Sequence, residues 1–289
     1  MTDFVDVLQL PYGAAQTDYR PGPDLGRMRA GANEAERLIA AAVADTVDGT
    51  IAPDESDIVA RIEARRAELA ASSTPISYMD FGASTRDASE TPEEMYRGKP
   101  VERTVGNLEQ RTSKRHRAAL LLMKLLRGFK PMHGLELGTC LGISAAYQGA
   151  ALALNGQGRL ITLDGAEPVA ALARETLDGL GIDRVRVTVG RFQDILQDVL
   201  NDNGPFDYAY IDGHHDGAAT VGYFEQIKPH LTARALLVFD DIRWSASMTD
   251  AWERIIADPL VSVSVDLVDM GVCYLDGAAN GAARYSMAP

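Results

Sequence analysis

Leu135-Glu136-Leu137-Gly138-Thr139-Cys140-Leu141-Gly142-Ile143-Ser144 runs from an apolar strand, through a glycine-rich turn, into a helix. Gly138 and Gly142 let the backbone approach a ligand closely. Such a turn, at the carboxyl end of a parallel strand, is where open α/β sheets bind ligands. The spacing is E-x-G-x-x-x-G, and the dinucleotide fingerprint G-x-G-x-x-G is absent. An acid at Glu136 suits a cationic amino-acid group better than a pyrophosphate. A tight turn without a ligand is the plainer alternative.

Working outward, strand patterns at 134–137, 159–163, 185–189, 208–211 and 235–239 alternate with helical patterns. This alternation predicts an α/β fold with a doubly wound, Rossmann-like, mainly parallel sheet. Two extended runs, 261–268 and 272–275, are split by Asp269, Met270 and Gly271. They predict an antiparallel β-hairpin closing the sheet edge. Upstream, a helix over 114–127 ends before Pro131. Residues 1–110 lack the alternation. Helical spacing covers 25–47, Asp54 heads another helix through Ile58, Ile62 and Leu69, and a short strand is predicted over 76–81. The stretches 11–23 and 71–100 read as loop and turn. Residues 1–110 thus read as an N-terminal, mainly helical extension, either a cap or an oligomerisation region through which a homodimer could form. Residues 111–289 form the catalytic domain.

The net charge of −13 disfavours a nucleic-acid partner. Apolar runs such as 118–123 are too short to cross a bilayer, so no membrane partner is expected. The first ten residues carry no Lys or Arg, unlike a signal peptide, and cytoplasm is the expected location. Cys140 and Cys273 make no disulfide framework, and Cys140 reads as a small apolar filler. A basic cluster of Arg111, Lys114, Arg115, His116 and Arg117 reads as a solvated face or as a contact to an anionic part of a substrate.

The remaining strand ends carry the chemistry. Asp164 ends the second strand, where a carboxylate can accept from both hydroxyls of a ribose. Gly190-Arg191-Phe192-Gln193-Asp194 follows the third, in the right place for an adenine ring. Asp212 follows the fourth strand, and Asp240 and Asp241 the fifth. If those tips are neighbours, three carboxylates converge and repel unless a cation neutralises them. Hard oxygen ligands suit Mg²⁺, or Mn²⁺ and Ca²⁺. His215, three residues after Asp212, reaches the same rim and suits general-base work, whereas His214 should point elsewhere. Such Asp residues also cap helices, a histidine there also serves packing, and Trp244 is either packing or substrate wall.

LELGTCLGIS, GRLITLD and GRFQD follow one another as in catechol-type O-methyltransferases, which the segment resembles. The resemblance covers residues 114–275. It implies a class I S-adenosylmethionine (SAM) dependent methyltransferase domain. Glu136 and Gly138 would lie by the methionine part of SAM, Ser144 near its carboxylate, Asp164 at the ribose and Gln193 at the adenine edge, with Asp212 also at the cofactor. Asp212-Gly213-His214-His215 with Asp240-Asp241 looks closer to macrolide-sugar O-methyltransferases of the mycinamicin and macrocin type, where the His is the base and the acids hold Mg²⁺. Catechol-type enzymes have Lys at the place of His215, and some relatives have Glu at that of Asp240. The implied substrate is a hydroxylated small molecule, a secondary metabolite, with a second oxygen beside the hydroxyl. A metal-independent N- or carboxyl-methyltransferase and a relative of the cephalosporin hydroxylases are the alternatives.

Overall fold

In the computed structural model, residues 4–14, 22–82, 91–279 and 281–287 are described. The expected loop at 11–23 and turn-rich stretch at 71–100 lie partly outside them. The five parallel strands are β3 (His133–Leu137), β4 (Arg159–Asp164), β5 (Val185–Val189), β6 (Phe206–Ile211) and β7 (Leu231–Phe239). They alternate with α8 (Ile143–Leu154), α9 (Glu167–Leu180), α10 (Phe192–Asn203), α11 (Gly217–Ile227) and α12 (Ala246–Ile256). The chain then adds β8 (Val261–Asp266), β9 (Gly271–Asp276) and β10 (Ala283–Ser286). The eight-stranded sheet has the order β10-β8-β9-β7-β6-β3-β4-β5. Apolar residues fill β3, β6 and β7 because helices cover both faces, so neither face can be polar.

The hairpin forms, with β9 pairing with β7, and differs from expectation in that the edge belongs to β10, which runs parallel to β8. The short run at 283–286 carried no strand signal of its own; Met287 N–H donates to Asp266 O and helps hold it against β8.

The N-terminal part comprises α1 (Phe4–Gln9), α2 (Pro23–Arg29), α3 (Glu34–Asp48), α4 (Ser56–Ala71), β1 (Pro75–Asp80), α5 (Pro92–Arg97), β2 (Lys99–Thr104) and α6 (Val105–Thr112). The single helix expected over 25–47 is two. The chain leaves α2 after Arg29, and a capping box of Asn33 and Glu36 restarts it. Asp54 does not cap α4; its carboxylate accepts from Arg127 at 2.6 Å. β1 pairs antiparallel with β2 in a separate ribbon that sequence reading half missed. Ile39, Val43, Val59 and Ile62 share one core with Leu120, Leu121 and Tyr147, so α3 and α4 pack on the same side of the sheet as α7 (His116–Phe129) and α8. A second core lies under α10, α11 and α12. No helix among the described residues is long and apolar enough to cross a membrane.

Candidate active site

Strand order reverses at β3, whose neighbours are β4 and β6. Crevices form at such reversals, at the carboxyl ends of the strands. The ladder continues past the strands: Gly138 N–H donates to Leu163 O, Asp212 N–H to Leu137 O and Asp240 N–H to Ile211 O, each at 2.9 Å. These bonds draw the tips of β4, β3, β6 and β7 into one rim. Above it opens a cavity of about 480 Å³. Its wall includes Gly138, Asp164, Gln193, Asp212, His215, Asp240 and Asp241. Six non-glycine residues among those described have positive φ, and four of them (Cys140, His214, His215 and Asp241) line this cavity. Strain concentrated in this way marks a site held for a purpose other than stability.

At one end, Asp164 accepts from Cys140 N–H and Ala166 N–H, both at 2.8 Å. Burial outweighs these bonds and pushes its carboxyl up to about 6. Phe192 leans on Gly213, where a Cβ would lie 2.6 Å from its ring, and Gln193 is exposed on the wall. Glu136 and Ser144, expected at the ligand, lie beneath the wall. Both are buried, and Ser144 Oγ donates to Glu136 Oε1 at 2.7 Å, as does Gln148 Nε2 at 2.6 Å. Cys140 is held by the Thr112 hydroxyl at 3.0 Å, and burial pushes its thiol up to about 12, away from the thiolate form.

Burial also pushes Glu136 up to about 7, against the bonds from Thr162, Ser144 and Gln148. The folded-state value is raised, so its stabilising effect is full below the ordinary glutamate range and fades as pH rises through about 7. We expect the ligand-free protein to lose on the order of 2–3 kcal/mol between pH 5 and pH 8.5 from this group. Glu136→Gln should flatten that part of the urea-denaturation profile. An unchanged slope would show that Glu136 stays ionised throughout.

At the other end stand the acids. Asp212 accepts from Tyr210 OH at 2.8 Å, and burial pushes it up to about 6. Burial and the neighbouring Asp212 push Asp240 up to about 7. Asp240 Oδ1 is buried without a partner. Lys114 reaches both acids: its ammonium contacts Asp240 Oδ2 and lies 3.7 Å from Asp212 Oδ1. Burial opposes its charge, but Asp212, Asp240 and Asp241 together hold it above its ordinary value.

The structure places the expected trio in two groups. Ligand atoms of Asp212, Asp240 and His215 lie within 4.8 Å of one another, while Asp241 Oδ2 instead faces His215 Nδ1 at 3.2 Å. Asp241 is placed to orient an imidazole rather than to join the other two acids. His215 stands 5.9 Å from the Trp244 ring, centroid to centroid. His214 is buried, with Nδ1 2.6 Å from Tyr223 OH, and burial lowers its pKa. The donor set suits a hard divalent cation: the buried Asp240, with one oxygen unpartnered, and the partly buried Asp212 share a single ammonium. Sequence reading missed Lys114 in this position. Its signal was membership of the basic cluster, of which Lys114 meets the protein's own acid pair. His116, His133 and His230 stay outside this site.

A doubly wound, mainly parallel sheet extended by an antiparallel pair, with its cavity at the β3 switch point, is the α/β Rossmann-like methyltransferase fold. Comparison with known proteins agrees. Residues 135–242 match the family described as a methyltransferase domain. A catechol O-methyltransferase of Niastella koreensis is 34% identical over 110 residues, which is 37% of this chain and 48% of that protein. The chain thus spans about half the length of that relative. The SAH-bound (S-adenosylhomocysteine-bound) methyltransferase PaMTH1 of Podospora anserina has the same fold, with a TM-score of 0.50 at 19% identity, over 58% of this chain and 80% of that one. An SAH-bound O-methyltransferase from Bacillus cereus is 25% identical, with a TM-score of 0.46 over 54% of this chain and 78% of that one.

Proposed function

We propose that this chain is a SAM-dependent O-methyltransferase acting on a hydroxyl of a small molecule. One observation carries the proposal: a single cavity joins the Gly138–Asp164–Gln193 end to the His215–Asp241 pair and the acids. The match to a methyltransferase domain and the catechol O-methyltransferase relative support it.

In this proposal Gly138 lets the cofactor pass close to the backbone, and Asp164 accepts from its ribose hydroxyls. Gln193 meets the adenine edge. Glu136 and Ser144, bonded to one another beneath the wall, support the turn on which the methionine part would rest. Asp241 holds His215 Nδ1, which leaves Nε2 to take the proton of the acceptor hydroxyl. SAM, when bound, would supply a sulfonium methyl to that oxygen, the C–O bond forming as the C–S bond breaks with its electron pair going to sulfur. A divalent cation on Asp212 and Asp240, when bound, supplies positive charge that favours ionisation of the acceptor. An acceptor with a second oxygen beside its hydroxyl, as in a secondary metabolite with vicinal hydroxyls, best fits such a site.

The test is incubation with SAM and a panel of vicinal diols and catechols, with and without Mg²⁺ and chelator, followed by detection of SAH. Methylated acceptor with an equal yield of SAH is expected. A hydroxylated product without SAH would overturn the proposal in favour of oxygenase chemistry.

Asp164 adds a second check. Only its carboxylate accepts from two ribose hydroxyls, and its free-protein value lies at about 6. SAH affinity should be flat at higher pH and fall by up to about tenfold per unit below that value. Calorimetric titration between pH 4.5 and pH 8 measures this. Affinity that is constant across the range, or that rises with acid, would remove Asp164 from the ribose.

A further inference from the structure

Lys114 belongs to no helix. It lies in the link between α6, which ends at Thr112, and α7, which begins at His116, so both sides of its backbone are fixed. Thr112 is anchored to Cys140 across the glycine-rich turn. From this fixed base the side chain, 18% exposed, carries its ammonium onto Asp240, whose side chain is 1% exposed, and towards Asp212. A bidentate or bridging divalent ion needs those same oxygens at about 2.0–2.6 Å. Two cations on one pair of carboxylates repel strongly in a buried setting. One of them must leave.

We propose that Lys114 is the resident cation of the Asp212–Asp240 pair: it holds the place of a divalent ion, the two exclude one another, and the lysine sets how tightly the chain takes the ion. This rests on reading Asp212 and Asp240 as cation ligands, and it does not depend on methyl transfer. The acid pair is then never left without a countercharge. With no ion present the ammonium covers them; with an ion present the ammonium swings into the cavity that Lys114 already lines. Asp240 Oδ1 is buried and has no hydrogen-bond partner, so the ammonium on Oδ2 leaves half of this carboxylate unsatisfied.

The test is Mn²⁺ binding to the full chain at pH 7.5, followed by calorimetry and by electron paramagnetic resonance of free Mn²⁺. Lys114→Met should bind one Mn²⁺ at least about 30-fold more tightly than the unaltered chain, and Lys114→Arg should not. Adding Asp240→Asn to Lys114→Met should abolish the gain. Without metal, Lys114→Met should melt below the unaltered chain, and Mg²⁺ should restore it. Lys114→Gln gives the same comparison if the Met variant folds poorly. Mn²⁺ affinity that is equal or weaker in both variants, with native circular dichroism, would overturn the proposal. SAH binding, measured on the same samples, is a separate readout. Its absence from the unaltered chain would count against the methyltransferase function and leave the Mn²⁺ comparison valid.

Discussion

His215→Ala should lower kcat for methyl transfer by about 10²–10⁴-fold while SAH affinity stays unchanged. The imidazole is 25% exposed on the cavity side and stands between Asp241 and Trp244. Its φ of 50° is costly for a non-glycine residue, and the Asp212-Gly213 turn holds it there. A lost base should appear in kcat, because proton removal is needed only as the oxygen attacks. His215→Gln, which keeps size and polarity but cannot take the proton, should be nearly as impaired. Asp241→Asn should be milder in stability but clear in rate, since the amide no longer fixes the imidazole tautomer. His214 cannot take over. It is buried, its Nδ1 is committed to Tyr223 OH, and its low pKa follows from burial. The assignment fails if His214→Ala abolishes turnover and His215→Ala does not.

Legibility differed between the two halves of the chain for a physical reason. From β3 to β9, each strand and helix buries one stripe against a sheet, so hydrophobic period alone revealed the order of elements. Strand ends fall where the polar residues begin, which placed Asp164, Asp212 and Asp240 on one rim before any coordinates. Side-chain direction was not legible. Asp240 and Asp241 are adjacent, and neighbours on extended chain point apart; Asp241, at φ 52°, turns to His215. Lys114 was invisible because its partners lie about a hundred residues away in sequence, and no local period encodes such a pair. β2 and α6 were missed because Lys99–Thr104 pairs only with β1 and has no apolar face, its burial alternating between exposed and half-buried. Yet this ribbon matters to the site: Tyr78, Phe81 and Arg103 close one side of the cavity, and Phe81 packs on Gly165.

Gly138→Ala should be the most damaging single methyl addition to the site. At φ 110° the backbone lies where an L side chain is strained, and a Cβ would stand 2.0 Å from Asp212 O. That oxygen is main chain, so no side-chain rotation relieves the clash. The tip of β6 must move away from β3, against the Asp212 N–H to Leu137 O bond. Strain and displacement together should cost on the order of 3 kcal/mol or more, a fall in Tm of roughly 6–12 °C for a chain of this size. SAH binding should fall further than stability does, since the displaced Asp212 turn and Gly138 both line the cavity expected for the cofactor. Two controls separate the causes. Gly156 has φ 70° but open space around it, so Gly156→Ala reports backbone strain alone, about 1 kcal/mol. Gly179 lies within α9 in open space, and Gly179→Ala should stabilise by about 0.5–1 kcal/mol. If Gly138→Ala matched Gly156→Ala in both Tm and SAH affinity, the close approach of β3 to the Asp212 turn would not be what shapes the site. The acids would then have to be placed by β6 and β7 alone.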